Sequence, residues 1–180
     1  PRLMLFIRDH PAVRLRIQPM TDLSELEDED IDLAIRWGLG DWTDVPVQPL
    51  FPCPAFATGG ADALALVRQS GLEAALPRLT LLADRSGSRA WADWHRVVGL
   101  PLALRTDELT IADPNVRVQA VIDGQGIAIN DALVQPELEA GRLFRLSGHQ
   151  LDHYGYFLAC RPGSMQNRDV AEFVAWILQM

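Results

Sequence analysis

The twenty residues Ile111–Asn130, IADPNVRVQAVIDGQGIAIN, constrain the fold of this chain more than any other stretch. Asp113 suits a helix N-cap, because a short carboxylate can accept from the first free N–H groups. Pro114 suits the first helical position, where no N–H is needed. Val116, Val118, Ala120, Val121 and Ile122 make the helix apolar over most of its surface, which predicts burial on more than one side. Gly124 and Gly126 supply a left-handed stop. Ile127, Ala128 and Ile129 then read as a short, fully buried strand. The N–H groups at the helix start, around Asp113 and Asn115, favour an anion by about 0.3–1 kcal/mol. A plain cap is the competing use of the same groups.

The flanking sequence alternates helices and strands, so the expected class is α/β. Leu3–His10 reads as a helix closed by Pro11. Val13–Pro19, VRLRIQP, alternates apolar and polar and predicts a strand. Leu23–Asp30 is an acidic short helix or turn. Ile31–Ile35 reads as a buried strand running into Arg36, Trp37 and Gly38. Val47–Phe51 is another strand, and Cys53–Thr58 continues extended. Gly59-Gly60 breaks the chain ahead of a helix over Ala61–Ser70. Leu81 and Leu82 lead to a further short strand, and Trp91–Val98 is a helix ended by Gly99. Leu102–Leu104 and Leu109–Ile111 are short strands, Val134–Ala140 a helix, and Leu143–Leu146 a strand. Tyr154–Cys160 is a strong strand, and Asp169–Leu178 a closing amphipathic helix.

The chain has 180 residues, 48% of them hydrophobic, enough for one sizeable domain or two small lobes. A net charge of −8 makes it a poor nucleic-acid binder by itself, since phosphate binding wants a basic face. No apolar run is long enough to span a bilayer, so no membrane is expected. The start, PRLMLFIRDHP, is no signal peptide, and it opens on a helix as though a strand upstream were missing. Cys53 and Cys160 fit no metal or redox spacing, which suits a reducing cytoplasm.

Few residue groups suggest chemistry. Gly124 and Gly126 follow a helix and precede a strand, the reverse of a dinucleotide fingerprint. His149 and His153 have a spacing that could bind zinc on a helix, but Gly148 and Gly155 bracket them in a surface loop. Asp84–Ser88 lacks the nucleophile-elbow pattern, so no catalytic set, cofactor or metal is expected. Arg85 in that loop could greet an anionic ligand or lie solvated. Trp91 and Trp94 share a helix face suited to packing. Trp37 stands at a strand-to-loop junction, where α/β folds bind ligands.

Taken together, four segments resemble the LysR-type transcriptional regulators, in their glycine-cleavage-activator and β-lactamase-regulator subgroup. They are DLAIRWGLGDW with VQPLF, WADWHRVVG, Asp113 through GQGIAI, and YGYFLACRP with the closing FVAWIL. The resemblance implies the effector-binding domain of such a regulator, with a fold like type 2 periplasmic binding proteins. Two α/β lobes would be joined by two crossover strands, near Phe56–Gly60 and Tyr156–Cys160, around a small-molecule cleft. Lobe I would be residues 1–58 plus 159–180, and lobe II residues 59–158. The Ser-Ser of the family's helix start is Pro114-Asn115 here. The implied effector-contacting residues are Trp37, Thr58, Arg85, Asp113, Asn115 and Tyr156, and a carboxylate-bearing effector suits a helix start. Dimers would pair Leu3–His10 of one subunit with Pro114–Asp123 of another, with a tetramer in the full-length regulator. DNA would be bound only through a winged helix-turn-helix absent from this chain. The alternative is a periplasmic solute-binding protein of the same fold.

Overall fold

The computed structural model describes residues 3–18, 26, 30–102 and 109–179. It divides into two compact units, Pro1–Phe51 with Gly155–Met180, and Pro52–Tyr154. Among the described residues, no helix is long and apolar enough to cross a membrane.

In the first unit, β1 (Leu33–Gly38), β8 (Gly155–Cys160) and β2 (Val47–Pro52) form a sheet in the order β1-β8-β2. β1 and β8 are antiparallel, with Ile35 opposite Leu158 and Trp37 opposite Tyr156. Leu26, Ile31, Ala34, Val45 and Ala159 make one small core. Leu158, Val170 and Val174 make another, beneath α7 (Arg168–Ile177). α1 (Leu3–Asp9) inserts Phe6, fully buried, against the rings of Phe173 and Trp176, each 5.1 Å away.

In the second unit, β3 (Ala55–Gly59), β4 (Leu81–Ala83), β5 (Leu109–Thr110), β6 (Ile127–Asp131) and β7 (Phe144–Arg145) form a sheet in the order β5-β4-β6-β3-β7. β4 runs parallel to β5 and β6, whereas β3 is antiparallel to β6 and β7. Helices α2 (Ala61–Ser70), α3 (Leu72–Ala75), α4 (Ala90–Val98), α5 (Pro114–Ile122) and α6 (Gln135–Glu139) connect the strands. The core gathers Phe56, Leu82, Ala120, Val121, Ala128, Val134 and Leu143.

Several expectations are corrected. By contact, the chain passes into the second unit at Pro52 and leaves it after Tyr154. Thr58 therefore belongs to the second unit, because β3 is hydrogen-bonded on both sides by strands of that sheet. Val13–Gln18 is not a strand. Its alternation survives only in part, with Val13 and Leu15 half-buried and Arg14 and Arg16 exposed but Ile17 70% exposed; an open groove of about 500 Å³ is lined both by it and by Leu33–Ile35, and no ladder forms. The strand expected from Ile31 begins at Leu33, although Asp32 still pairs with the facing segment, its carbonyl accepting from the Arg161 N–H. The expected turn at Leu23–Asp30 lies largely outside the described residues, and the strand at Leu102–Leu104 mostly so.

The central helix–strand pair forms as its sequence predicts, with two changes. α5 buries Ala120 and Val121 on one flank, while Val116 is 57% exposed, so within one chain the helix is covered on one side only. Gly124 alone is left-handed, at φ 76°. It closes a double C-terminal turn, the Gln125 N–H bonding to the Ala120 carbonyl and the Gly124 N–H to the Val121 carbonyl. Gly126 serves a different purpose: a Cβ there would lie 2.6 Å from the Thr80 carbonyl oxygen, which accepts from the Ile127 N–H.

Candidate functional site

Parallel strands direct their carboxyl ends to one edge of a sheet, and the loops leaving that edge are where α/β folds bind ligands. In the second unit this edge is formed by β4, β5 and β6. Ala83 ends β4, and its carbonyl accepts from the Ile111 N–H at 2.9 Å, so the segments after β4 and β5 leave side by side. The first carries Asp84, Arg85, Ser86, Gly87 and Ser88, and the second leads to Asp113, Pro114 and Asn115. Asp131 ends β6 on the same edge, and its carboxylate accepts from the Leu133 N–H at 2.9 Å. Opposite Asp131 stands Ala55, near which the chain enters the unit.

The α5 start is a satisfied cap. Asp113 Oδ1 accepts from the N–H groups of Asn115 at 2.8 Å and Val116 at 3.1 Å, and Pro114 has none to offer. Of the two uses the sequence left open for this helix start, the structure shows the cap: its first donors are already taken, by a carboxylate that adds a negative charge of its own. Asn115 is exposed, and no described residue hydrogen-bonds its carboxamide. The α4 start differs. Arg89 occupies its N-cap position and its side chain makes no capping hydrogen bond, so the first N–H groups of α4 have no side-chain acceptor from their own cap. Arg85 lies two-thirds buried in the loop that leads there and donates to Asp84 at 3.1 Å.

Further along α4, Asp93 is buried on the inner face. Burial alone would push its carboxyl up. Hydrogen bonds from Tyr154 and Arg96 and the charges of Arg89 and Arg96 outweigh burial and hold it below the usual carboxylate range. Trp91 and Trp94 pack edge-to-face at 5.7 Å, both buried, with the Trp91 Nε1–H donating to the Leu82 carbonyl.

The residues singled out from sequence fall into three places. Arg85, Asp113 and Asn115 come together on the carboxyl edge. Thr58 does not join them. It sits by Ala128 at the amino end of β6, about 10 Å along the strand from Asp131. It is fully buried, with its hydroxyl donating to the Ala128 carbonyl and accepting from the Asn130 carboxamide. Trp37 and Tyr156 are register partners across β1 and β8 of the first unit, and the Tyr156 ring lies 5.1 Å from that of Phe51. Sequence reasoning missed Asp131 and the uncapped start of α4. The signal for the second was an arginine where Ser, Thr, Asp or Asn normally caps. His149 and His153 are both exposed, and among the described residues no cluster of three or more His, Cys, Asp and Glu could hold a metal.

Residues 1–180 match the family described as the LysR substrate binding domain. The glycine cleavage system transcriptional activator of Escherichia coli is 29% identical over 182 residues, covering 99% of this chain and 59% of that protein. The transcriptional activator AmpR of Rhodobacter capsulatus is 29% identical over 181 residues, covering 98% of this chain and 60% of that protein. The solved effector domain of AmpR from Pseudomonas aeruginosa superposes with a TM-score of 0.82 at 25% identity, covering 100% of this chain and 86% of that one. The chain thus spans about three fifths of the length of the curated relatives it matches.

Proposed function

The chain belongs to the LysR substrate-binding domain family, and from that premise we propose that the carboxyl edge of its second unit is where it contacts a small-molecule effector. The observation that carries this reading is the hydrogen bond between Ile111 and Ala83, which sets the Arg85 loop beside the Asp113–Asn115 turn. That edge offers both signs of charge. Arg85 and the uncapped α4 start suit a carboxylate, the Asn115 carboxamide can donate or accept, and the Asp113 carboxylate suits a cationic group. A zwitterion of amino-acid size fits this set better than a simple anion. Trp37 and Tyr156 are further candidate contacts on the first unit, and Thr58 is a support within the sheet.

Effector occupancy shifts the populations of the regulator's conformations by as much as the effector's affinity differs between them. DNA is bound by a helix-turn-helix domain of the full-length protein, which acts in the cytoplasm. The proposed homodimer packs α1 of one copy, with Met4, Leu5 and Ile7 exposed, against α5 of another, with Val116 exposed; in the full-length regulator two such dimers form a tetramer.

Thermal-shift screening of the chain against amino acids, aromatic acids and peptidoglycan fragments tests the site. A hit is expected to vanish in Arg85→Ala and Asn115→Ala. Full affinity in both variants sinks this location.

A further inference from the structure

Asp93 lies in the middle of α4 with its side chain 8% exposed. The Tyr154 Oη donates to its Oδ2 at 2.6 Å across 61 residues of sequence, and Arg96 Nη1 donates to its Oδ1 at 2.6 Å. Tyr154 is itself 6% exposed and is the last residue of the second unit. Its carbonyl accepts from the Cys53 N–H at 3.0 Å. Further in, Ala55 and Leu151 exchange backbone hydrogen bonds as an isolated antiparallel bridge. The two segments by which the chain enters and leaves the unit are thus paired to each other, and the Tyr154 phenol joins that pair to α4.

A buried carboxylate and phenol are a costly way to fill space. Apolar residues of the same shape would pack there at least as stably, so the pair is better explained by the single arrangement it enforces. α4 begins at the loop 84–89, and Asp93 takes the Arg89 carbonyl on its own N–H at 2.8 Å. Two hydrogen bonds, one within α4 and one to the Tyr154 phenol, therefore link the start of α4 to the paired entry and exit segments.

We propose that the Asp93–Tyr154 hydrogen bond is a latch that fixes α4, and with it the loop 84–89, to the paired segments through which the chain enters and leaves the second unit. Its consequence rests on reading that loop as effector-contacting: a displacement of α4 by an effector is delivered to the entry and exit segments rather than absorbed within the unit. Asp93 and Tyr154 are positioning residues and touch no effector themselves.

Amide hydrogen exchange on the 180-residue chain, with no effector added, tests the latch. Tyr154→Phe keeps the ring and removes the hydroxyl. Exchange is expected to quicken about tenfold at the Cys53, Ala55 and Asp93 amides, while the Ile127 amide keeps its protection. Arg96→Gln removes the exposed ion pair and keeps the phenol bond, so these amides are expected to exchange as in the wild type. Asp93→Asn retains an acceptor for the phenol and is expected to preserve protection at Cys53 and Ala55. The latch is overturned if Tyr154→Phe leaves those amides unchanged or quickens Ile127 equally. It is also overturned if Arg96→Gln produces the same local change, or if Asp93→Asn loses protection at Cys53 and Ala55. None of these results depends on where an effector binds, so the latch and the proposed site fail separately.

Discussion

Arg36 is 3% exposed and brings a permanent charge into the first unit's sheet. Asp44 meets it with two bonds of 3.0 and 2.8 Å, and the Trp42 ring lies 5.8 Å from the guanidinium. The hydrogen bond from Arg36 lowers the Asp44 carboxyl below its ordinary range, against an opposing effect of burial. A carboxyl lowered by folding contributes stability above its unfolded value, and that contribution is lost as pH falls through the folded one. Asp44→Asn is therefore expected to cost about 1 kcal/mol at pH 7, discounted because Asp44 is partly solvent-screened. In urea unfolding the gap to wild type should close below about pH 4. The two glycines after α5 separate at this scale too. Gly124→Ala meets open space and costs about 1 kcal/mol of left-handed strain. Gly126→Ala drives a methyl into the Thr80 carbonyl and costs more, about 1–3 kcal/mol. The sequence could show that both positions want glycine. It could not show that one needs a backbone angle and the other a close approach, because the second reason lies at Thr80, just before β4 and 46 residues away.

At the scale of elements, local chemistry was readable wherever it was self-contained. The Asp113 cap, Pro114 and the buried strand of β6 all follow from neighbours in sequence, and they form as expected. Asp113→Ala is expected to lower stability by about 1 kcal/mol through loss of that cap, with thermal unfolding as the measure. This makes Asn115→Ala the cleaner probe of effector contact. Val13–Gln18 shows the opposite case. Alternation at Val13 and Leu15 records which side chains face inward, but a strand also needs a backbone partner, and none of the described strands is hydrogen-bonded to this segment. Thr58 lies apart from the carboxyl edge for a related reason. Its position in sequence looked like a crossing segment, yet the direction of β3, fixed by pairing with β6, carries it away from the carboxyl edge. The latch was invisible in sequence, since nothing near Asp93 points to Tyr154.

For the whole molecule, charge and thiols give two checks. A chain of net charge −8 is expected to show no salt-dependent binding to duplex DNA in fluorescence anisotropy. Cys53 and Cys160 are not joined in a disulfide, and burial pushes both thiols up. Two thiols per chain should react in non-reducing denaturant, and both should react slowly in the native state. The composition and the four family-like segments sufficed to place the class and the family. The boundary between units was less readable, because it is set by which sheet each strand joins. The pairing of Cys53 with Tyr154 carries one last implication. Residues 52–154 start and finish at the same spot, so they form a cassette inserted into a host rather than one half of a bisected chain. Such a cassette can be excised without stretching anything. Expressed alone, 52–154 should fold and give the blue-shifted fluorescence of its two enclosed tryptophans, Trp91 and Trp94.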